Sequence, residues 1–330
     1  MISGAQIILP HSSMTNRIHH KSLNMQRRSF IRNSVALGAA ITSADLLSAT
    51  PLSDTGKEQY TFKMKYAPHD GMFANLGGKD ILDQLRFMAD EGFTAFEDNG
   101  MTGRDVATQE KMSQIMTRLG ISMGVFVAHK IYWNEGNLTS GNPDKRAEFL
   151  SDIRNAVEVA KRVNARWITV VPGCVDPRLD AGYQFANVME SLRQASDILM
   201  PHGLIMVLEP LNYRDHPNLF LTGAAQGYAV CKAVNSPACK ILFDIYHMQI
   251  QQGNLIPSID AAWDEIAYIQ IGDNPGRHEP TTGEINYQNV FKHLHKKEFT
   301  GILGMEHGNS LPGKEGERAV IDAYKAVDHF

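Results

Sequence analysis

Segments of strand type alternate with helical patterns over most of the chain, and this alternation limits the fold more than any other feature of the sequence. After residue 60, apolar stretches of strand length are separated by segments with apolar residues at helical spacing, such as residues 80–92, 108–120 and 143–164. The predicted strands are residues 63–68, 93–97, 121–127, 166–171, 204–209, 240–244, 267–271 and 300–306. Such a pattern predicts an α/β protein with repeated β/α units and a parallel sheet.

The number and length of these units favour one barrel. Eight strand and helix pairs in residues 57–330 match a (β/α)₈ barrel, which usually has about 250 residues. A doubly wound open sheet is the alternative, but no GxGxxG motif follows the first predicted strand. We therefore predict a single (β/α)₈ barrel as the catalytic domain.

Composition and charge exclude several classes of function. The 330 residues are 43% hydrophobic and 21% charged, with a net charge of −4 and no clustered basic stripe, which argues against a nucleic-acid partner. Cys174, Cys231 and Cys239 form no CxxC pair, so neither a disulfide framework nor a thiolate zinc site is predicted.

The N-terminal region has the pattern of an export signal. Arg27 and Arg28 precede a short stretch of small and apolar residues that ends near Ala49, which is typical of a twin-arginine signal and too short for a permanent membrane helix. Residues 25–56 are predicted to be signal peptide and linker, and residues 1–24 an upstream extension without ordered structure. We expect a periplasmic protein without stable membrane insertion. The alternative is an ordinary amphipathic helix that carries an Arg pair.

Oxygen-bearing side chains end four consecutive predicted strands. They are Glu209, Asp244, Gln270 and Glu306. Catalytic groups of (β/α)₈ barrels project from the C-terminal strand ends, so these side chains should converge at one mouth. Three carboxylates in one place repel each other unless a cation lies between them. An all-oxygen set suits Mg²⁺ or Mn²⁺, with these four residues as ligands; independent helix caps are the alternative.

Loops on the same side of the barrel carry candidates for substrate binding. His247 follows Asp244 by three residues, Asn212 and Asp215 follow the fifth strand, and Arg277 and His278 follow the seventh. A guanidinium grips a carboxylate through two hydrogen bonds, so Arg277 is the candidate for an anionic substrate group.

Four motifs, "LEPLNYRDHPNLFL", "FDIYHMQIQQGN", "IQIGDNPGRHEPTTGEINY" and "GMEH", resemble the hydroxypyruvate isomerase family of the xylose isomerase-like barrels, which is related to the ketose 3-epimerases. The resemblance implies metal ligands at Glu209, Asp244, Gln270 and Glu306 and substrate contacts at His247 and Arg277. Glutamine at the third ligand position is similar to hydroxypyruvate isomerases, whereas 3-epimerases of tagatose type usually have histidine there. Barrels of this family commonly associate, which implies a homo-oligomer.

Two features depart from the family. The arm after the third strand carries His129, Trp133 and Glu135 in a loop unlike the usual one, and an export signal does not suit the cytoplasmic metabolism of hydroxypyruvate. Both bear on which small hydroxy-keto acid or ketose is the substrate.

The predicted function is isomerisation of hydroxypyruvate to tartronate semialdehyde through an enediolate. The resemblance implies that Glu209 and Glu306 carry the protons, because moving a carbonyl needs a base and an acid beside the two carbons. A ketose 3-epimerase, a keto-sugar dehydratase or lyase, and an exported sugar-binding protein are the alternatives.

Overall fold

The computed structural model describes residues 59–330. The predicted upstream extension, 1–24, and signal peptide with linker, 25–56, lie outside the described residues. The strands of the described part are β1 (Lys65–Pro68), β2 (Ala95–Phe96), β3 (Ser122–Met123), β4 (Trp167–Val170), β5 (Ile205–Leu208), β6 (Cys239–Asp244), β7 (Ile266–Gln270) and β8 (Ile302–Met305). Its α-helices are α1 (Ile81–Asp90), α2 (Val106–Leu119), α3 (Pro143–Val163), α4 (Ala181–Leu199), α5 (Ala224–Val234), α6 (Ile245–Gln251), α7 (Leu255–Ala262), α8 (Tyr287–Lys296) and α9 (Gly313–Val327).

The strands close into a ring. Parallel pairing joins six of them in the order β1, β8, β7, β6, β5, β4, and β2 pairs with β3. Single parallel bridges complete the ring, from His69 to Glu97 just after β1 and β2, and from Val127, beyond β3, to Thr169 in β4. Each strand is followed by a helix. The predicted (β/α)₈ barrel is therefore confirmed.

The predicted strands are all present, with ends that differ by a few residues. The third differs most, because the chain beyond Met123 meets its neighbours through single hydrogen bonds and an isolated bridge rather than a continuous ladder.

Helix boundaries follow local capping chemistry. Asp80, Asp105 and Asn142 accept backbone N–H groups at the starts of α1, α2 and α3, which satisfies donors that a helix leaves free. Gly120 and Asn164 end α2 and α3 in the left-handed conformation. None of the helices between residues 59 and 330 has the length and apolar character needed to cross a bilayer.

Alternation along the strands separates the barrel interior from the layer beneath the helices. A small buried cluster fills the interior, formed by Ala67, Ala95, Val125, Val207, Leu242, Tyr268 and Ile302. The adjacent strand positions, such as Tyr66, Phe96 and Ile241, belong to the larger core that packs under the helices. Side chains two positions apart share one face of a strand. Residues two positions beyond the interior cluster therefore also point into the barrel.

Tyr268 is the largest side chain of the interior cluster, and glycines make room for the group around it. A Cβ on Gly124 would overlap the Tyr268 hydroxyl. The same hydroxyl donates to the Glu97 carboxylate at 2.9 Å, and a Cβ on Gly304 of β8 would overlap that carboxylate. Small residues in the strands thus allow a polar group deep inside the barrel.

We expect Gly304→Ala to lower the stability of the fold by about 1–3 kcal/mol, since the added methyl group must displace the buried Glu97 carboxylate or the β8 backbone. The measurement is the urea midpoint of unfolding. Gly182→Ala is the matched control: Gly182 lies in the first turn of α4 with open space where a Cβ would be, so alanine should leave the midpoint unchanged or raise it. Equal midpoints for wild type and Gly304→Ala would contradict the claim that the Glu97 carboxylate leaves no room for a Cβ at Gly304.

Candidate active site

Acidic and amide side chains lie at the ends of five strands at one mouth of the barrel. Each lies two positions beyond an interior residue or glycine of its strand, so alternation turns it inward: Glu97, Glu209, Asp244, Gln270 and Glu306. Asp244 is fully buried, Glu97 and Gln270 are 1% exposed, and Glu209 is 7% exposed. The Glu306 side chain keeps 25% exposure. The predicted convergence of four strand ends is thus present, and the second strand adds a fifth side chain.

The end of β6 orients Asp244 and places His247 beside it. Asp244 pairs in register with Gln270 of β7, and its Oδ1 caps α6 by accepting the backbone N–H groups of Tyr246 at 2.7 Å and His247 at 3.3 Å. Oδ2 remains directed to the site. One turn of helix brings the His247 Nε2 atom to 3.6 Å from Asp244 Oδ2 and 3.9 Å from Glu209 Oε1.

Asn212 decides which nitrogen of His247 carries the proton. The Asn212 Oδ1 atom accepts the backbone N–H groups of Arg214 and Asp215, both at 3.0 Å, so its Nδ2 is the donor. Nδ2 donates to His247 Nδ1 at 2.7 Å, and the Asn212 backbone N–H approaches the same atom at 3.3 Å. Burial lowers the pKa of His247 to about 4. A neutral ring that accepts at Nδ1 has its proton on Nε2, which makes Nε2 a hydrogen-bond donor.

A tight turn after β7 presents Arg277. The Asp273 carboxylate, fully buried, accepts the backbone N–H groups of Gly283 at 2.9 Å and Ile285 at 3.1 Å. The Asp273 backbone accepts Arg277 N–H at 2.9 Å, and Arg277 adopts a φ of 52°. Its guanidinium donates to Glu306 Oε2 at 2.8 Å and to Asp244 Oδ2 at 3.2 Å.

Glu97 is a site residue that the sequence analysis missed. It accepts Tyr268 Oη at 2.9 Å and Gln270 Nε2 at 2.6 Å. The second bond fixes the Gln270 amide, because its N–H side must face Glu97 and its Oε1 must face away. The signal was available in the sequence, since Glu97 ends a predicted strand as the four recognised residues do.

The site brings together several carboxyl groups, most of which are buried. Burial, followed by repulsion from Glu306, raises the pKa of Glu97 and of Glu209 well above the usual range. Burial also raises the pKa of Glu306 to about 7, although Arg277 acts in the opposite direction. Burial alone would lower the pKa of Arg277, but Glu306, Asp244 and Glu209 raise it. One guanidinium thus interacts with three carboxyl groups.

The residues present fit a bound cation. Between residues 59 and 330, His247 Nε2 and Gln270 Oε1 are buried side-chain atoms without a hydrogen-bond partner. Ligand atoms of Glu209, Asp244 and His247 lie within 4.8 Å of one another. Because Nε2 of His247 carries a proton, we assign the ligand role to oxygen atoms. Glu209, Asp244, Gln270 and Glu306 could hold a divalent ion, and the excess of buried carboxylates favours one.

The other predicted site residues divide into two groups. Asp215 contacts the site, since its Oδ2 accepts Asn212 Nδ2 at 3.0 Å and Tyr246 Oη at 2.8 Å. His278 lies on the Arg277 turn, where its backbone pairs with Asp273, and its ring makes no hydrogen bond within the described chain. Its binding role stays a prediction.

The three residues named on the arm after β3, His129, Trp133 and Glu135, have different surroundings. His129 is 6% exposed and donates from Nδ1 to Lys130 O while Nε2 accepts Val171 N–H at 3.2 Å, so neither nitrogen is available to a ligand. Glu135 pairs with Lys145 at 2.8 Å at the surface. Trp133 is 45% exposed and lines a cavity beside the site.

An open cavity gives access to the carboxylates. It measures about 550 Å³, and its wall includes Arg277, Glu306, Asn99, Asp98 and His69. Asn99 Nδ2 donates to Glu306 Oε1 at 3.1 Å. This volume is in the range of small-molecule sites, so the arrangement is that of a pocket for a small polar substrate.

Fold and site together identify the class of protein. Residues 85–327 match the family model described as xylose isomerase-like TIM barrel. The chain belongs to this family.

Relatives of similar sequence include proteins named as isomerases. Hydroxypyruvate isomerase of Escherichia coli K12 is 33% identical over 183 residues, which cover 56% of this chain and 70% of the relative. The 2-oxo-tetronate isomerase of Cupriavidus necator is 30% identical over 228 residues, which cover 69% of this chain and 86% of the relative.

Solved structures share the fold at lower identity. A family 2 AP endonuclease from Brucella melitensis superposes with a TM-score of 0.65 at 24% identity, covering 77% of this chain and 96% of its own. The D-psicose 3-epimerase of Clostridium cellulolyticum H10 superposes with a TM-score of 0.66 at 18% identity, and the match covers 80% of this chain and 98% of the epimerase. A protein named IOLI, solved with a binding zinc atom, superposes with a TM-score of 0.62 at 16% identity, and the match covers 80% of this chain and 96% of that protein.

We expect the metal-free protein to contain His247 as the neutral Nε2–H tautomer from pH 7 down to below pH 5, because burial and Asn212 disfavour both protonation and the other tautomer. Long-range ¹H–¹⁵N NMR measures this, with His247→Gln to assign the signal. His129, which donates from Nδ1, serves as the internal reference for the opposite tautomer. An Nδ1–H pattern for His247, or titration near pH 6.5, would contradict the assignment.

Proposed function

We propose that the chain is a metal-dependent isomerase of small hydroxy-keto acids or keto-sugars, with hydroxypyruvate to tartronate semialdehyde as the reference reaction. The observation that supports this most is the pair Glu209 and Glu306, two inward carboxyl groups with raised pKa values on either side of Asp244 and Gln270 in strand order. Carboxyl groups with raised pKa values can both take and give a proton. The isomerase relatives support the same reaction class.

Glu209, Asp244, Gln270 and Glu306 would hold the divalent ion, with Mg²⁺ or Mn²⁺ favoured by the oxygen ligands. When bound, such an ion polarises a carbonyl and stabilises negative charge on its oxygen. Glu97 supports the set indirectly, since its bond to Gln270 Nε2 turns Oε1 toward the other ligands.

The reaction moves one hydrogen from C3 to C2 and one proton from the C3 oxygen to the C2 oxygen. One of the two glutamates removes the C3 proton, which leaves an enediolate, and the C3 hydroxyl proton passes to the C2 oxygen. The carboxylic acid of the other glutamate then delivers a proton to C2, and the carbonyl forms at C3. The first glutamate is then protonated and the second ionised, so exchange of a proton with solvent restores both. Burial at the barrel mouth raises both pKa values and thereby keeps a proton available for the second step.

Two further side chains position the substrate. His247 presents Nε2–H, a neutral donor, to a substrate oxygen beside Asp244. Arg277 bonds two carboxylates of the site, and a substrate carboxylate could take their place on the guanidinium fork. Both groups favour a hydroxylated, anionic substrate.

Export through the twin-arginine route remains part of the proposal. It depends on Arg27, Arg28 and the apolar stretch behind them. Epimerisation of a ketose at C3 is the second candidate reaction, because it begins with the same proton removal beside a carbonyl.

We expect Glu209→Gln and Glu306→Gln each to lower kcat for hydroxypyruvate by at least about 10²-fold, since an amide cannot transfer the proton. The measurement is deuterium incorporation and product formation in D₂O by NMR, with the metal-loaded full chain. Glu158→Gln, at an exposed pair with Lys161, is the matched control and should retain full activity. Retention of exchange in both glutamine variants would contradict the proton-transfer roles.

We expect Asp244→Asn to weaken Mn²⁺ binding by at least about 100-fold and to abolish turnover while the circular dichroism spectrum stays unchanged. Titration calorimetry measures the affinity. Asp260→Asn removes a surface carboxylate that pairs with His293 and Lys297, and this variant should bind Mn²⁺ as the wild type does. Equal affinities for Asp244→Asn and wild type would show that the metal assignment is wrong.

A further inference from the structure

A second cavity lies beside the site, and the proposed mechanism does not use it. It measures about 630 Å³ and is formed by the loops that follow β3, β4 and β5. Its walls mix apolar and polar groups: Trp133, Asn134, Cys174, Val175, Pro177, Asp215, His216, Pro217, Asn218 and Leu219. Cavities of this size and composition are typical of small-molecule sites.

The three loops are held together by contacts of their own. Val171, Cys174, Leu211 and Leu219 form a separate buried cluster, with Ile131 packed against it. Cys174 pairs with Leu219 through an antiparallel bridge. The same residue accepts Thr139 Oγ1 at 2.6 Å through its carbonyl oxygen, and its Sγ approaches Trp133 O at 3.0 Å. The cavity is therefore a preformed feature of the fold.

A row of rings connects this cavity to the catalytic residues. Trp133 stacks on His216 with 5.2 Å between ring centroids and an interplanar angle of 28°. His216 lies 5.5 Å from the ring of His247, whose Nε2 is beside Asp244. The row thus leads from Asp244 through His247 and His216 to Trp133. Trp133 nevertheless keeps 45% exposure, so an indole surface remains free in the cavity.

Hydrogen-bonding groups accompany the indole. Asp215 uses Oδ2 for Asn212 and Tyr246, and its Oδ1 accepts no hydrogen bond from any described residue. The Asn212 bond lowers the pKa of Asp215, so the side chain is an ionised acceptor. Asn134 and Asn218 add amides to the wall. Carbon-bound hydrogens of a polyol suit an aromatic surface, and its hydroxyl groups suit carboxylate and amide partners.

We propose that this cavity binds the distal hydroxylated carbons of the substrate, so that the preferred substrate is a pentose- or hexose-sized keto-sugar rather than a three-carbon acid. The inference rests on the proposed function for the position of the reacting carbons. In hydroxypyruvate all three carbons belong to the carboxylate, the carbonyl and the reacting hydroxymethyl group. None is left to reach Trp133.

Binding tests the inference without turnover. The chain has three tryptophans, Trp133, Trp167 and Trp263. We expect a ketohexose, titrated into the Mg²⁺-loaded full chain, to change the intrinsic fluorescence in a saturable way, and hydroxypyruvate to leave it unchanged. The change should vanish in Trp133→Phe/Asp215→Asn and persist in Trp263→Phe, because Trp263 packs on Phe299 and does not line the cavity. A signal that is absent, or that survives loss of Trp133 and Asp215, would overturn the proposal.

Kinetics separate this inference from the proposed function. Trp133→Ala should lower kcat/KM for the ketohexose about tenfold or more, mainly through KM, and leave kcat/KM for hydroxypyruvate within about twofold. Saturable sugar binding without turnover of any tested substrate would contradict the proposed function alone. Turnover of hydroxypyruvate without Trp133-dependent sugar binding would contradict the cavity assignment alone.

Discussion

The structure depends on holding like charges together inside a closed barrel. Glu97, Glu209, Asp244 and Glu306 converge where Arg277 supplies the positive charge that contacts Asp244 and Glu306. Taking several carboxylates out of water is unfavourable unless a cation, a proton or a hydrogen bond compensates each one. The fold uses all three kinds of compensation: Arg277, raised carboxyl pKa values, and the bonds of Tyr268 and Gln270 to Glu97. A divalent ion would complete the balance, which is the physical reason to propose one.

Much of this arrangement could be predicted from the sequence, because alternation along a strand is a local property. In a barrel, the strand ends identify Asp244, Gln270 and their neighbours as inward groups. Glu97 was missed because the predicted set was limited to the last four strands. The Arg277 contacts and the tautomer of His247 could not be predicted, since they depend on a turn around buried Asp273 and on Asn212, a residue 35 positions away from His247. The export signal stays a prediction, because residues 1–58 lie outside the described part.

The proposed chemistry and the proposed substrate specificity lie on different parts of the molecule. The strand ends carry the acidic set, and their positions follow from barrel geometry that the family shares. The loops after β3, β4 and β5 carry Trp133, Asp215 and His216 around a separate small core. Loops can change without disturbing the strands, so one proton-transfer apparatus can serve substrates of different length. This division explains how an isomerase site can accompany an unusual arm.

The identity of the metal ligands is the central claim, and pulsed EPR of the Mn²⁺-loaded protein tests it most directly. An ion held by Glu209, Asp244, Gln270 and Glu306 has only oxygen ligands, and the protonated Nε2 of His247 stays a donor beside it. The account predicts a spectrum without the ¹⁴N coupling of a directly bound imidazole. A strong ¹⁴N coupling that disappears in His247→Gln would contradict the account, because His247 would then be a ligand rather than a substrate-binding group.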